Sequence, residues 1–181
     1  MKLSNISATL VISTLAACAM TPAQPVVERL DPDTATTLTV IKDPVELVGE
    51  GAAPGPGPAT TPFAFFAPFE TNRMGAHSLY LWMSAPSIQG ANLQHQLICD
   101  GHAVTLSPLD GDISHIGLSS APYPSPVPWN MQWYFQLPQA GLDCLAGAQN
   151  VSLETHGNNG APQRFTVEGK HLAALKDFVA R

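Results

Sequence analysis

Apolar and polar residues alternate strictly from Asn130 to Leu137: Met131, Trp133, Phe135 and Leu137 share one side, Gln132, Tyr134 and Gln136 the other. A period of two is that of a half-buried β-strand. Ser78 to Met83 obeys the same rule, with Leu79, Leu81 and Met83 set against Tyr80 and Trp82. The stretch from Leu97 to Val104 reads as a hairpin, because Asp100-Gly101 is a preferred pair for a two-residue type I′ turn. That turn places Cys99 opposite His102 and Leu97 opposite Val104, with Leu106 on the same face and Gln96 and Thr105 on the other. Phe63 to Phe69 carries aromatic residues on both faces, the mark of a strand covered on both sides or meeting a partner.

Weaker alternation predicts a pair of strands at Thr36 to Ile41 and Val45 to Val48, turning at Lys42-Asp43-Pro44. Another strand is expected at Asp112 to Leu118, and a final pair at Val151 to Thr155 and Arg164 to Glu168. Thr71 to Gly75 reads as a turn. Only Lys170 to Val179 has a helical period, with Leu172, Leu175, Phe178 and Val179 on one face. Eight to ten strands with polar turns and one terminal helix predict an all-β fold over residues 36–181: an Ig-like antiparallel β-sandwich with a short C-terminal helix. Alternation does not itself specify closure, so a barrel has the same signature.

Prolines sharpen this picture. Gly49 to Pro62, with Gly55-Pro56-Gly57-Pro58, must be an exposed loop. Ala121 to Trp129 has proline at positions 122, 124, 126 and 128, which forces an extended, polyproline-like ribbon. Such a ribbon is either a rigid crossover between two sheets, the favoured reading, or a recognition strip for an aromatic groove.

The first residues belong to a different pattern. Lys2 precedes a short apolar run from Ile6 to Leu15, and Leu15-Ala16-Ala17-Cys18 follows. The run is too short for a lasting transmembrane helix, and it has the build of a secretory signal. Leu-Ala-Ala-Cys resembles the lipobox of bacterial lipoproteins. That resemblance implies cleavage after residue 17, roughly three acyl chains on Cys18, and stable membrane anchoring. Residues 18–35 then read as the lipidated N-terminus and a flexible tether. Ala19 is not the aspartate that holds lipoproteins at the inner membrane, so the resemblance implies the periplasmic face of the outer membrane. Asn72-Arg73-Met74-Gly75, Tyr80-Leu81-Trp82 and Tyr123 to Pro128 also look like envelope lipoproteins of Gram-negative bacteria, a similarity over residues 65–130 that carries no known activity.

Charge and cysteine content narrow the function. Without residues 1–17 the chain has 7 basic and 14 acidic residues, net −7, which offers no footprint for nucleic acid. With Cys18 taken by lipid, Cys99 and Cys144 remain in an oxidising compartment and are expected to pair. Closing a loop of about 45 residues contributes roughly 4 kcal/mol in the chain-entropy view.

The candidate chemistry is thin. His77, His95, His102, His115, His156 and His171 show no H-x-H, H-x-x-H or H-E-x-x-H spacing, so no metal site is assigned. Gly117-Leu118-Ser119 brushes against a nucleophile elbow, but the proline ribbon stands where a helix is required. Asp110-Gly111-Asp112 reads as a turn, since the remaining calcium-loop carboxylates are missing. No catalytic residue and no cofactor are assigned. The expectation is a non-enzymatic outer-membrane lipoprotein acting as a structural or interaction module, held by its lipid and meeting an envelope protein. The alternative is a small-molecule or metal-binding lipoprotein using a pocket lined by Phe63 to Phe69, Trp82 and histidines.

Overall fold

Among the described residues, ten antiparallel strands form a single sheet: β1 (Val26–Asp31), β2 (Thr36–Ile41), β3 (Val45–Gly49), β4 (Phe63–Arg73), β5 (Ala76–Ala85), β6 (Gln94–Cys99), β7 (His102–Pro108), β8 (Met131–Gln136), β9 (Val151–His156) and β10 (Gln163–Val167). This computed structural model describes residues 25–50, 63–86, 93–109, 112–128, 130–156, 162–167 and 172–181. The lipobox with Cys18, residues 51–62, Trp129 and His171 lie outside the described residues.

The expected Ig-like sandwich is not formed. Following the pairings β4-β3-β10-β9-β6-β7-β8-β5 and back to β4 closes an eight-stranded antiparallel barrel. Closure follows from β4, which pairs with β5 along one edge and with β3 and then β2 along the other. Two sheets never separate, so the proline ribbon links β7 to β8 within one sheet instead of crossing between two.

Register assigns the interior. Val45, Leu47, Phe66, Leu81, Met83, Leu97, Leu106, Phe135, Leu153 and Phe165 fall on one face of the closed sheet, all with 2 % exposure or less. Eight strands give an interior just wide enough for side chains to fill.

Several expected elements change. β2 and β3 do not pair with each other. Both lie antiparallel to β4, Val40 opposite Phe69 and Val45 opposite Phe66, so Lys42-Asp43-Pro44 bulges outward instead of reversing the chain. The strand opposite the bulge carries Pro68, which has no N–H for a ladder, and bulges are where a sheet tolerates proline. The tether is shorter than expected, because Val26–Asp31 is β1, paired along its length with β2. Mixed polarity hides β1 in the sequence, as befits an edge strand. Thr71, Asn72 and Arg73 extend β4 to a two-residue turn at Met74 and Gly75, both at positive φ. Asp112 to Leu118 contains a 3₁₀ turn, Ile113–Ile116, instead of a strand.

A first helix, α1 (Gln139–Gly147), is foreshadowed by no period, since two glycines dilute its pattern. Pro138 ends β8 by removing a ladder donor and opens the helix, where its fixed φ is welcome. The second, α2 (Leu172–Val179), is the expected terminal helix and buries Leu172, Leu175 and Phe178 against α1, β1, β2 and β4.

Candidate functional site

Outside the barrel wall, the segment from Gly117 to Pro128 runs back over β2, β4 and β5 as a strap. Leu118 and Tyr123 from the strap, Leu38 and Val40 from β2, and Ala67, Phe69 and Trp82 from β4 and β5 are all buried. By register these barrel residues point away from the interior. The aromatic density on both faces of β4 therefore has two causes: Phe66 fills the barrel and Phe69 lies beneath the strap.

Tyr123 holds the strap's centre. Its ring lies 5.2 Å from that of Trp82. Its hydroxyl donates to the Pro68 carbonyl at 3.0 Å and accepts the Ile41 N–H at 3.1 Å. Those two groups face the bulge, where the β2–β4 ladder is interrupted, so the phenol replaces the missing backbone bond. Burial pushes the Tyr123 hydroxyl well above the ordinary phenol value. Arg29 donates to the Pro122 carbonyl at 2.6 Å, and the Ser84 and Ser125 hydroxyls lie 2.9 Å apart.

Ser119, the residue closest to a nucleophile pattern, is a docking bond. Its N–H donates to Asp31 at 2.7 Å and its hydroxyl donates to the same carboxylate at 2.8 Å. The Ser119 N–H, followed by its hydroxyl and the Asp33 and Thr34 N–H groups, draws the Asp31 carboxyl down to about 2. A carboxylate so weakly basic has no use as a general base near neutrality.

The histidines are scattered. His95 is buried inside the barrel beside Phe135 and Trp133, ring centroids 4.8 Å and 6.0 Å away, and shares a 2.9 Å hydrogen bond with Thr155. Desolvation lowers its pKa to about 4, so it is neutral at pH 7. His77 contacts Glu70, and His156 lies 3.1 Å from Glu154. His102 and His115 are exposed. Among the described residues no three histidine, cysteine or acidic side chains converge. Of the aromatic residues expected to line a pocket, Phe66, Phe69 and Trp82 are fully buried, Phe65 is half-buried and Phe63 is exposed.

Cys99 and Cys144 stand at disulfide distance, Cα atoms 5.5 Å apart, at the end of β6 and within α1. The β6–β7 register has Cys99 opposite His102 and Leu97 opposite Val104, as the Asp-Gly turn requires.

A polar cleft of about 610 Å³ lies where β1 and β2 extend beyond the barrel beneath α2. Its lining follows from register: Thr39 lies opposite Glu28 and Glu70, Thr37 opposite Asn72, and Asn72 opposite His77. Phe178 and Arg181 from the C-terminal helix and tail complete it. Arg181 bonds Glu28 at 2.9 Å, while Glu70 meets His77. Both carboxylates are thus engaged, and the Asn72 carbonyl oxygen accepts the Gly75 N–H at 3.0 Å, leaving the threonine hydroxyls and the Asn72 amide N–H groups as hydrogen-bonding groups. Sequence reasoning misses this site because its residues come from five separate segments without a motif. The one available signal is that Thr37 and Thr39 alternate with Leu38 and Val40. No known protein family, curated protein or solved structure matches this chain.

Proposed function

We propose that the chain is an envelope lipoprotein, anchored through Cys18 to the periplasmic face of the outer membrane, whose barrel is a non-catalytic structural or interaction module. The observation that carries the module reading is the packed interior. Phe66, Leu81, Leu97, Phe135 and Phe165 have no exposure at all, so no water-sized space adjoins them, which supports a partner met on the outer surface. The anchor reading is supported by the Leu15-Ala16-Ala17-Cys18 pattern, with Ala19 behind the choice of membrane.

Two measurements in native envelope test it. Radiolabelled palmitate enters the wild-type protein and not Cys18→Ala; equal labelling of both, or of neither, removes the anchor. A photo-crosslinking residue at Thr39 captures one envelope protein, whereas absence of any protein adduct discards the interaction reading. A second reading, a small polar ligand in the cleft, is supported by its volume and its hydrogen-bonding lining. Co-purification of a small molecule, lost on Asn72→Leu, would favour that reading.

A further inference from the structure

The barrel wall is uneven. Among the described residues β7 and β8 meet at only two register pairs, Ser107 with Gln136 and Pro108 with Phe135, extended by the Leu109 N–H donating to the Tyr134 carbonyl at 2.8 Å. The β6–β7 seam beside it runs from Cys99–His102 to His95–Leu106. From His102 to Leu106 no described strand pairs with β7 on its β8 side, because β8 stops at Gln136 and the chain continues through Pro138 into α1. This helix carries the chain past β7 and β6 to β9, whose first residue, Val151, pairs with Cys99.

Besides its packing against α2, three attachments hold that crossing. Leu145 is buried. The Asp100 carboxylate accepts the N–H groups of Asn150 and Gln149 at 2.9 and 3.2 Å, which hold its pKa below the usual range. Cys144 reaches Cys99, and is the only covalent one of the three. We propose that the Cys99–Cys144 bond is a clasp that keeps α1 packed on β6, next to the shortest seam among the described residues, so that the thiol–disulfide state sets whether the β7–β8 side of the wall is closed.

Cys144 is half-buried, which leaves the bond accessible to a small dithiol. Dithiothreitol supplies two electrons and two protons, its own thiols closing to a cyclic disulfide as Cys99 and Cys144 become thiols. The other seams are held by longer ladders and persist. The outcome is local opening, with the unpaired edges of β7 and β8 and the side of His95 and Phe135 freed.

Hydrogen exchange on the full mature chain tests this, oxidised against reduced in place and against C99A/C144A. The expected result is about tenfold or faster exchange in β7, β8 and α1, with less than about twofold change in β4 and β5. Uniform acceleration in every strand would make the bond a global restraint, and an unchanged α1 would make it idle; either overturns the clasp. Failure of C99A/C144A to fold, with uniform acceleration on reduction, overturns it equally. Asp100→Ala serves as a second variant that leaves the bond intact: it should sharpen the contrast between α1 and β4–β5 on reduction, and no such increase counts against the clasp.

Discussion

Tyr123 shows how one side chain repairs a defect that another creates. Pro68 cannot donate within β4, and the bulge at 42–44 leaves the Ile41 N–H without a strand partner. Tyr123→Phe keeps the ring against Trp82 but strips both groups of their bond. An unsatisfied buried polar group costs about 1–3 kcal/mol, so urea unfolding should show a loss of that order without a change in m-value. His95 gives a pH signature. Its folded pKa of about 4 lies below the ordinary 6.5, so between those values the unfolded chain binds the proton and the native chain does not. Stability therefore falls as pH drops from 6.5 towards 4 and levels off below. His95→Gln, which retains a partner for Thr155 and does not titrate, should flatten that part of the profile; an unaltered slope would refute the assignment. Met74 is fully exposed at φ 53 in the β4–β5 turn, where an L side chain is strained. Met74→Asn relieves this and should stabilise by about 1 kcal/mol, read as a raised denaturation midpoint.

At the scale of elements, legibility tracks how local the cause is. The β6–β7 register is readable because Asp100 and Gly101 supply the positive φ values of a type I′ turn within two residues. Alternation in β5 and β8 is readable for the same reason. Lys42-Asp43-Pro44 reads as a reversal because proline punctuates turns and bulges alike, and only the facing Pro68 decides between them. Helix α1 is hidden because its hold is tertiary, through Leu145, α2 and Cys144, and its own period is weak. The cleft is illegible since its residues meet only through the β1–β2–β4–β5 register. The strap is where element and residue meet. Asp31→Ala removes the acceptor for Ser119 and should loosen residues 117–122 selectively, seen as faster proteolysis there while far-UV circular dichroism is retained.

Whole-molecule closure lies beyond the sequence because a sandwich and a barrel ask the same alternation of each strand. What decides is that one long strand, β4, serves β5 on one edge and both β2 and β3 on the other. The consequence is a molecule with two apolar layers on the same strands, one inside the barrel and one beneath the strap. They should differ in cooperativity. Phe66 sits in the barrel interior between Val45 of β3 and Met83 of β5, so Phe66→Ala leaves a cavity in the barrel core; a loss of about 3–5 kcal/mol in global stability is expected. Leu118 seals only the strap against the outer wall. Leu118→Ala should release that segment to protease while far-UV circular dichroism and the thermal midpoint of the barrel change little. If Leu118→Ala instead lowers the global midpoint as far as Phe66→Ala does, the strap is an integral part of the wall, and the barrel has one cooperative core rather than two layers.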